Sequence, residues 1–247
     1  MSAEMTHPIY VGVAGWSIPK EHAGRFPAAG THLERYAAVF PAVEINSSFY
    51  RPHRPATYAR WAASVPADFR FAVKVPREIT HRHRLVEVRE LLDTFLAEAG
   101  ALGDKLGPLL VQLPPSLAFA APVATSFFGM LREQYAGGAV CEPRHPSWFR
   151  PEAERLLTDY HIARVAADPA VLPAAAEPGG WNRLVYYRLH GSPRMYYSPY
   201  ADEYLALLAE RLKAHASRAE VWCIFDNTAL AAATDTALTV LRQLKSC

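Results

Sequence analysis

Eight short runs rich in Val, Ile, Leu, Phe and Tyr recur every few tens of residues along this chain. They are Ile9 to Ala14, Ala42 to Asn46, Arg70 to Val75, Leu109 to Leu113, Ala139 to Arg144, Ala163 to Asp168, Leu184 to His190 and Val221 to Asn227. Their length and composition predict strands, and the stretches between most of them, with apolar residues three or four apart, predict helices. Thr31-His32-Leu33-Glu34 has the form of a capping box opening the first helix, and Pro122 and Pro151 suit the first turns of later ones. The longest helices are expected over Val88–Leu102, Asp202–His215 and Ala229–Leu244. One connection departs from this alternation: Pro169 to Trp181, with its prolines and paired glycines, reads as a loop with room for one short turn.

Residues two apart in a strand share a face. Glu44 therefore goes with Asn46, Glu142 with Arg144 and Arg188 with His190, while Lys74 follows Ala72 and Asp168 follows Ala166. The opposite faces carry Val43 and Ile45, Phe71 and Val73, or Val165, and should meet the helices. Each run ends in polar residues, with Gly15-Trp16 as the exception; Gln112 and Asp226-Asn227 complete the set. Alternating strands and helices with polar strand ends predict an α/β fold, a single (β/α)8 TIM-type barrel over residues 1–247, irregular around strands six and seven. In such a barrel the polar tips gather at one rim, and that rim is the candidate site.

Length and charge narrow the classes. At 247 residues and 51% hydrophobic, the chain can bury one large core, and no Ser/Gly-rich linker divides it. No stretch is apolar enough to span a bilayer and Met1–His7 lacks the layout of a secretion signal, so no membrane association and a cytoplasmic location are expected. A net charge of +2 does not indicate bulk binding of nucleic acid. Cys141, Cys223 and Cys247 are widely spaced, suggesting neither a disulfide framework nor a thiolate metal site. Without a Gly-rich phosphate fingerprint, no nucleotide cofactor is indicated.

Several segments resemble a known family: Gly12-Val13-Ala14-Gly15-Trp16, Val43-Glu44-Ile45-Asn46-Ser47-Ser48-Phe49-Tyr50, Phe71-Ala72-Val73-Lys74 with Thr80-His81, and Gln112-Leu113-Pro114-Pro115. Glu142-Pro143-Arg144-His145-Pro146-Ser147-Trp148, Arg188-Leu189-His190-Gly191 and Phe225-Asp226-Asn227-Thr228 follow in order. Together they look like the YecE-like family, domain of unknown function 72. The resemblance implies a TIM-type barrel, loosely similar to the xylose-isomerase-like and endonuclease-IV-like barrels, and implies no reaction. Ala14 stands where the family commonly has Ser, and Asp226 where it commonly has Asn, which adds a carboxylate to the rim.

The chemistry at the rim can be read from residue types. Lys74, Arg144 and Arg188 supply cations suited to phosphate or carboxylate, and Arg51, Arg54, Arg77, Arg82, Arg84 and Arg194 can add to the same mouth. The expected partner is a small anionic or phosphorylated ligand. Trp16, Phe49, Tyr50, Trp148, Trp181, Tyr196, Tyr197 and Tyr200 offer rings for a sugar or a base, although each ring alone is better explained by packing. In the preferred assignment Glu44 or Asp168 is the base and Glu142 or His190 returns the proton. Lys74, Arg144 and Arg188 stabilise negative charge, and Asn46, Gln112 and Asn227 orient the ligand. The bland alternative is a shell of ion pairs that binds nothing.

Other chemistries compete with this one. Glu44, Glu142, Asp168, His190 and Asp226 could ligate a metal in a phosphoesterase, but one strand-ending histidine and three neighbouring cations argue against it, and no metal is assigned. Barrel glycosidases place carboxyls after strands four and seven, where this chain has Gln112 and His190. A Schiff base on Lys74 needs a depressed pKa, which nearby carboxylates are expected to oppose. His81-Arg82-His83-Arg84 reads as a solvated basic loop, or one that touches phosphate. A non-catalytic binder of nucleic acid or an anionic metabolite is the alternative to an enzyme.

Overall fold

The computed structural model describes residues 6–229 and 231–245. Its strands are β1 (Ile9–Val13), β2 (Ala42–Ile45), β3 (Arg70–Lys74), β4 (Leu106–Gln112), β5 (Ala139–Glu142), β6 (Ala163–Arg164), β7 (Ala166–Asp168), β8 (Gly179–Gly180), β9 (Leu184–Leu189) and β10 (Glu220–Phe225). Helices α1 (His32–Ala37), α2 (Pro55–Ala63), α3 (Arg89–Ala99), α4 (Ala121–Gln134), α5 (Pro151–Asp159), α6 (Asp202–Ala216) and α7 (Ala232–Lys245) lie between or after them. Thr31 caps α1 as a capping box, with the Glu34 carboxylate accepting from the Thr31 amide at 2.7 Å. Pro122 and Pro151 sit in the first turns of α4 and α5. Leu230, inside the expected final helix, and Cys247 lie outside the described residues.

The strands form two sheets of order β1-β10-β9-β7 and β2-β3-β4-β5-β6-β8, parallel except for β6 with β8. They meet at two seams. At the first, Ala14 bridges Glu44, and the Gly15 amide donates to the Glu44 carbonyl at 2.9 Å. Lower in this seam the Tyr36 hydroxyl takes the place of the ladder, accepting from the Val13 amide and donating to the Ala42 carbonyl. A side chain at Gly12 would collide with that same carbonyl, so the close approach requires glycine. At the second seam one run serves both sheets: β6 pairs with β5, and β7, one residue later, pairs with β9.

This second seam corrects the expected facing of strand six. Val165 lies with Ala163 in the inner cluster beside Ala42, Ala72, Leu110, Val140, Tyr186, Trp222 and Ile224, whereas Ala166 packs in the outer cluster beneath the helices. Alternation continues through the change of sheets, so Asp168, paired with Leu189, shares the outward face of Ala166. The irregularity falls where it was expected, but the Pro169–Trp181 connection contributes more than a turn. It holds a 3-10 turn, Pro173–Ala176, and the β8 pair, with Arg164 and Glu154 in an ion pair beside it. The expected helix over Val88–Leu102 stops at Ala99 and continues as a 3-10 segment to Lys105, with Gly103 at φ 57°.

The other alternations hold. Val43, Ile45, Phe71 and Val73 face the helices, and Leu33, Tyr36, Leu92, Phe95, Phe127 and Leu212 pack on that outer side. Cys141 and Cys223 are buried free thiols within strands, and burial pushes both thiols up. No described helix is long and apolar enough to cross a membrane.

Candidate active site

The strand register brings the polar tips together. Gln112 lies beside Glu142 across β4 and β5, Arg188 beside Ile224 across β9 and β10, and Lys74 beside Leu110. Several of the predicted residues, Asn46, Arg144, His190 and Asp226 among them, fall just past the strands. There the ladder is continued by bonds such as Asp226 amide to Leu189 carbonyl at 2.8 Å. Ser48 ties two of these ends, its hydroxyl lying 2.9 Å from the Ile45 carbonyl and 2.6 Å from that of Lys74.

At the centre, completely buried, is the Arg188 guanidinium. Its Nη2 lies 2.8 Å from Glu44 Oε1 and 2.8 Å from Asp226 Oδ2, and its Nη1 lies 3.1 Å from Glu142 Oε2. Tyr186 donates to the other Glu44 oxygen at 2.9 Å, and Gln112 Nε2 donates to Glu142 at 3.1 Å. Arg144 places Nε and Nη2 on Glu142 Oε1. His190 links two of the acids, with Nδ1 3.1 Å from Asp226 Oδ2 and Nε2 3.0 Å from Glu142 Oε1. Nε2 also lies 3.1 Å from Arg144 Nη2, so the ring can either donate to Glu142 or accept from Arg144.

Above this cluster opens a cavity of about 450 Å³ lined by Asn46, Phe49, Tyr50, Lys74, His81 and Gln112 on one side and by Arg144, Tyr196 and Asp226 on the other. Lys74 is only 4% exposed, yet its ammonium has no hydrogen bond or ion pair among the described residues; it lies 4.1 Å over the Phe49 ring. Burial, followed by the charge of Arg188, lowers its pKa to about 8 against the raising effect of Glu44, Glu142 and Asp226. The expectation that carboxylates would keep this lysine high is therefore overturned. Those carboxylates are already turned onto Arg188, and removal from water outweighs them.

The carboxylates respond in the opposite sense. Burial would raise Glu142, but Arg188, Arg144 and His190 outweigh it and hold the carboxyl well below its usual range. Asp226 is likewise lowered, burial being overcome by Arg188 and His190. A carboxyl depressed in the folded state contributes stability above its unfolded pKa and loses it as pH falls through the folded one. The thermal midpoint is thus expected to hold from neutral pH to about pH 5 and then to fall, with a shallower acid limb in Asp226→Asn. Thermal melts across this range check it; an unchanged midpoint down to about pH 3 would show that these pairs carry no net stability.

Not every predicted residue reaches the site. Asp168 is separate: its carboxylate accepts from the Tyr200 hydroxyl at 3.1 Å and faces a hollow beside Tyr187, Leu207 and Arg211 under α6. Glu44 belongs to the cluster but is sealed beneath the cavity, its carboxylate held by Arg188 and Tyr186. Trp16 packs edge-on against Trp61 of α2, and Trp148 is buried with Nε1 on the Leu117 carbonyl. Trp181 binds the Ile162 carbonyl at the start of β6, the end of the strands away from the cavity. Asn227 is buried with its amide on the Ser198 carbonyl. None of Arg51, Arg54, Arg77, Arg82, Arg84 and Arg194 lines the cavity; Arg84 is held by Ser116, and Arg194 stacks on Tyr197.

Among the cavity residues that the sequence reading left without a site role, His81 carries chemistry. A π-helical turn, Glu78–Arg82, brings His81 into the cavity wall, edge-on to Phe49 at 4.9 Å, with Nδ1 2.9 Å from the Thr80 hydroxyl. Its neighbours Arg82 and His83 are exposed, as expected of a basic loop. The Thr80-His81 pair following Lys74 was the available signal. Among the described residues no three His, Cys, Asp or Glu side chains are grouped so as to hold a metal ion.

The profile of the protein of unknown function DUF72 family matches residues 10–246, nearly all of this arrangement. The chain belongs to the DUF72 family. Curated relatives include the UPF0759 protein YecE of Escherichia coli strain K12, 33% identical over 152 residues, and the UPF0759 protein YunF of Bacillus subtilis strain 168, 28% identical over 154. These matches cover 60% and 58% of the chain, and the chain spans about half (53%) of each relative's length. Among solved structures, a DUF72 protein of Thermotoga maritima MSB8 is 26% identical with a TM-score of 0.80, covering 97% of this chain and 100% of that one. A DUF72 protein of Enterococcus faecalis V583 is 22% identical with a TM-score of 0.81, covering 97% and 96%, and shares the fold. In this member of the family the rim cluster is carried on an α/β scaffold of parallel strands.

Proposed function

We propose that the two sheets close into one (β/α)8 barrel and that the cavity at their C-terminal ends is an active site. It binds a small phosphorylated or carboxylated substrate and acts on it by acid/base chemistry without a metal. Closure is supported by the two seams, and the chemistry by the way charge is distributed. Around Arg188 every carboxylate is satisfied, and each is committed to a guanidinium or a ring nitrogen. Lys74 is the exception, an ammonium held out of water over the Phe49 ring with no hydrogen bond or ion pair among the described residues. That unpaired buried charge is the observation that carries the proposal, because an isolated ammonium is costly to bury and an anionic ligand group would offset the cost.

Roles follow from which atoms reach the cavity. Lys74 and Arg144 hold the anion, Arg144 having Nη1 free of any bond to the described residues. Asp226 is the carboxylate that lines the cavity, so it takes the part of base that the sequence suggested for Glu44 or Asp168. His190 connects Asp226 to Glu142 and gives the proton a route inward. Asn46 lines the cavity and keeps the ligand-orienting part, while its side-chain oxygen is buried with no hydrogen-bond partner among the described residues.

Binding of inorganic phosphate and a panel of sugar phosphates and oxo acids, measured by calorimetry, tests this. Lys74→Met and Arg144→Gln are each expected to weaken the ligand by about 10- to 100-fold, the worth of a hydrogen bond to a charged group. Asp226→Asn is expected to retain binding and lose turnover. Unchanged affinity in both cation variants would overturn the site, and binding without turnover of any compound would make it a receptor for the same ligands.

A further inference from the structure

We infer that Lys74 is a nucleophilic amine that forms a Schiff base with the carbonyl carbon of a small anionic aldehyde or ketone, an oxo acid or a phosphorylated carbonyl compound. The inference rests on the anion-site reading above and specifies its substrate class. The chain has five lysines, Lys20, Lys74, Lys105, Lys213 and Lys245. Lys20 and Lys245 are exposed. Lys105 donates to the Ala62 and Val65 carbonyls, both at 2.6 Å, and Lys213 pairs with Glu210 at 3.0 Å. Lys74 differs from all four: it is buried, its ammonium makes no hydrogen bond or ion pair among the described residues, and it lies in the wall of a cavity large enough for a metabolite.

An amine attacks a carbonyl only when it has lost its proton. With the pKa near 8, about a tenth of the Lys74 population is neutral at pH 7. His81 supports this state. Burial, then the charges of Lys74 and Arg144, hold its imidazole below the usual value despite Glu142, which favours a neutral ring beside the amine. Its Nδ1 is engaged with Thr80, leaving Nε2 to accept a proton. The substrate's acid group meets Arg144, and this sets which carbonyls can enter.

The step balances without any further reactant. The Lys74 nitrogen bonds to the carbonyl carbon, the C=O π pair moves to oxygen, and that oxygen takes up a proton as the nitrogen loses one. The C–O bond then breaks, the nitrogen lone pair forms the C=N bond, and the hydroxyl leaves with a second proton as water. The resulting iminium is cationic and draws electrons from the neighbouring carbon, so a proton, or a carboxylate as carbon dioxide, can depart there and leave its bonding pair in an enamine. Asp226, which also lines the cavity, is placed to receive the proton.

Trapping of the full chain tests the inference. The protein is incubated with glyoxylate, pyruvate or dihydroxyacetone phosphate and sodium cyanoborohydride, and the adducts are mapped by peptide mass spectrometry. A reduced adduct on Lys74 is expected, at least about tenfold faster than on any other lysine, half-maximal near pH 8, slowed by inorganic phosphate, and absent in Lys74→Arg. Acetone, which lacks the anion, should label Lys74 far more slowly. Adducts spread over Lys20 and Lys245 with none favoured on Lys74 would overturn the Schiff base. If phosphate nevertheless binds in a way that depends on Lys74 and Arg144, the anion site stands and only the nucleophile falls; if phosphate does not bind either, both fall.

Discussion

Replacing Arg188 with leucine is expected to destabilise the protein by about 3–5 kcal/mol, the cost of leaving buried charge without its partner. One guanidinium here serves three carboxylates, those of Glu44, Glu142 and Asp226. With a total stability on the order of 5–15 kcal/mol, such a loss removes a large share of the fold's margin. At roughly 2–4 °C per kcal/mol for a chain of this size, the melting midpoint should drop by about 6–20 °C. Arg188→Lys keeps the charge but loses the planar fork, so it should fall between the two proteins. Denaturant titration at neutral pH measures both; a loss under about 1 kcal/mol in Arg188→Leu would mean that the three acids are satisfied by other groups or are protonated.

The second large effect is expected at Trp222, which fills the interior below the charged cluster. Its ring is fully buried, stacked at 9° to Tyr186 with centroids 6.1 Å apart, and 4.7 Å from Tyr10. Gly107 lies so close under the indole that any side chain there would strike it. Trp222→Ala should therefore leave a cavity that the surrounding strands cannot close, at a cost of about 3–5 kcal/mol, while Trp222→Phe should cost substantially less. The effect should reach the site, because Tyr186 rests on Trp222 and holds Glu44 through its hydroxyl. Denaturation of Trp222→Ala, together with phosphate affinity, checks both parts. A stability within about 1 kcal/mol of the parent would show that the interior repacks freely.

Both effects come from residues whose strand position could be read along the chain but whose consequence could not. Glu44 and Arg188 each end an apolar run, and period-two alternation turns each inward. Nothing local reveals that they pair across 144 positions, or that the pairing leaves Glu44 sealed beneath the cavity. Asp226 is the converse case: as a departure from the family's usual Asn it looked like an added carboxylate of uncertain pairing, and it proves to line the cavity. Asp168 was misplaced because a polar strand end does not by itself mark the inward face. Alternation holds through the change of sheets, but it turns Ala163 and Val165 inward and Ala166 and Asp168 outward, a choice fixed by pairing with Val140 on one side and Leu189 on the other. His81 was passed over because a single π-helical turn, a geometry with no periodic signature, brings it inward from an otherwise solvated loop.

By itself the sequence determined the number and order of the apolar runs, the faces of most of them, and the gathering of polar residues at their C-terminal ends. These are consequences of local periodicity, and burial of the apolar face enforces them at each strand separately. Which of those polar groups faces a ligand was decided only by the tertiary structure. Several acids and cations compete for one another inside a shared low-dielectric space, and the winner of each contest depends on distances between strands. Arg188 takes the carboxylates, Lys74 is left buried and unpaired, and this outcome of three-dimensional competition gives the lysine the depressed pKa that nearby acids alone would have denied it.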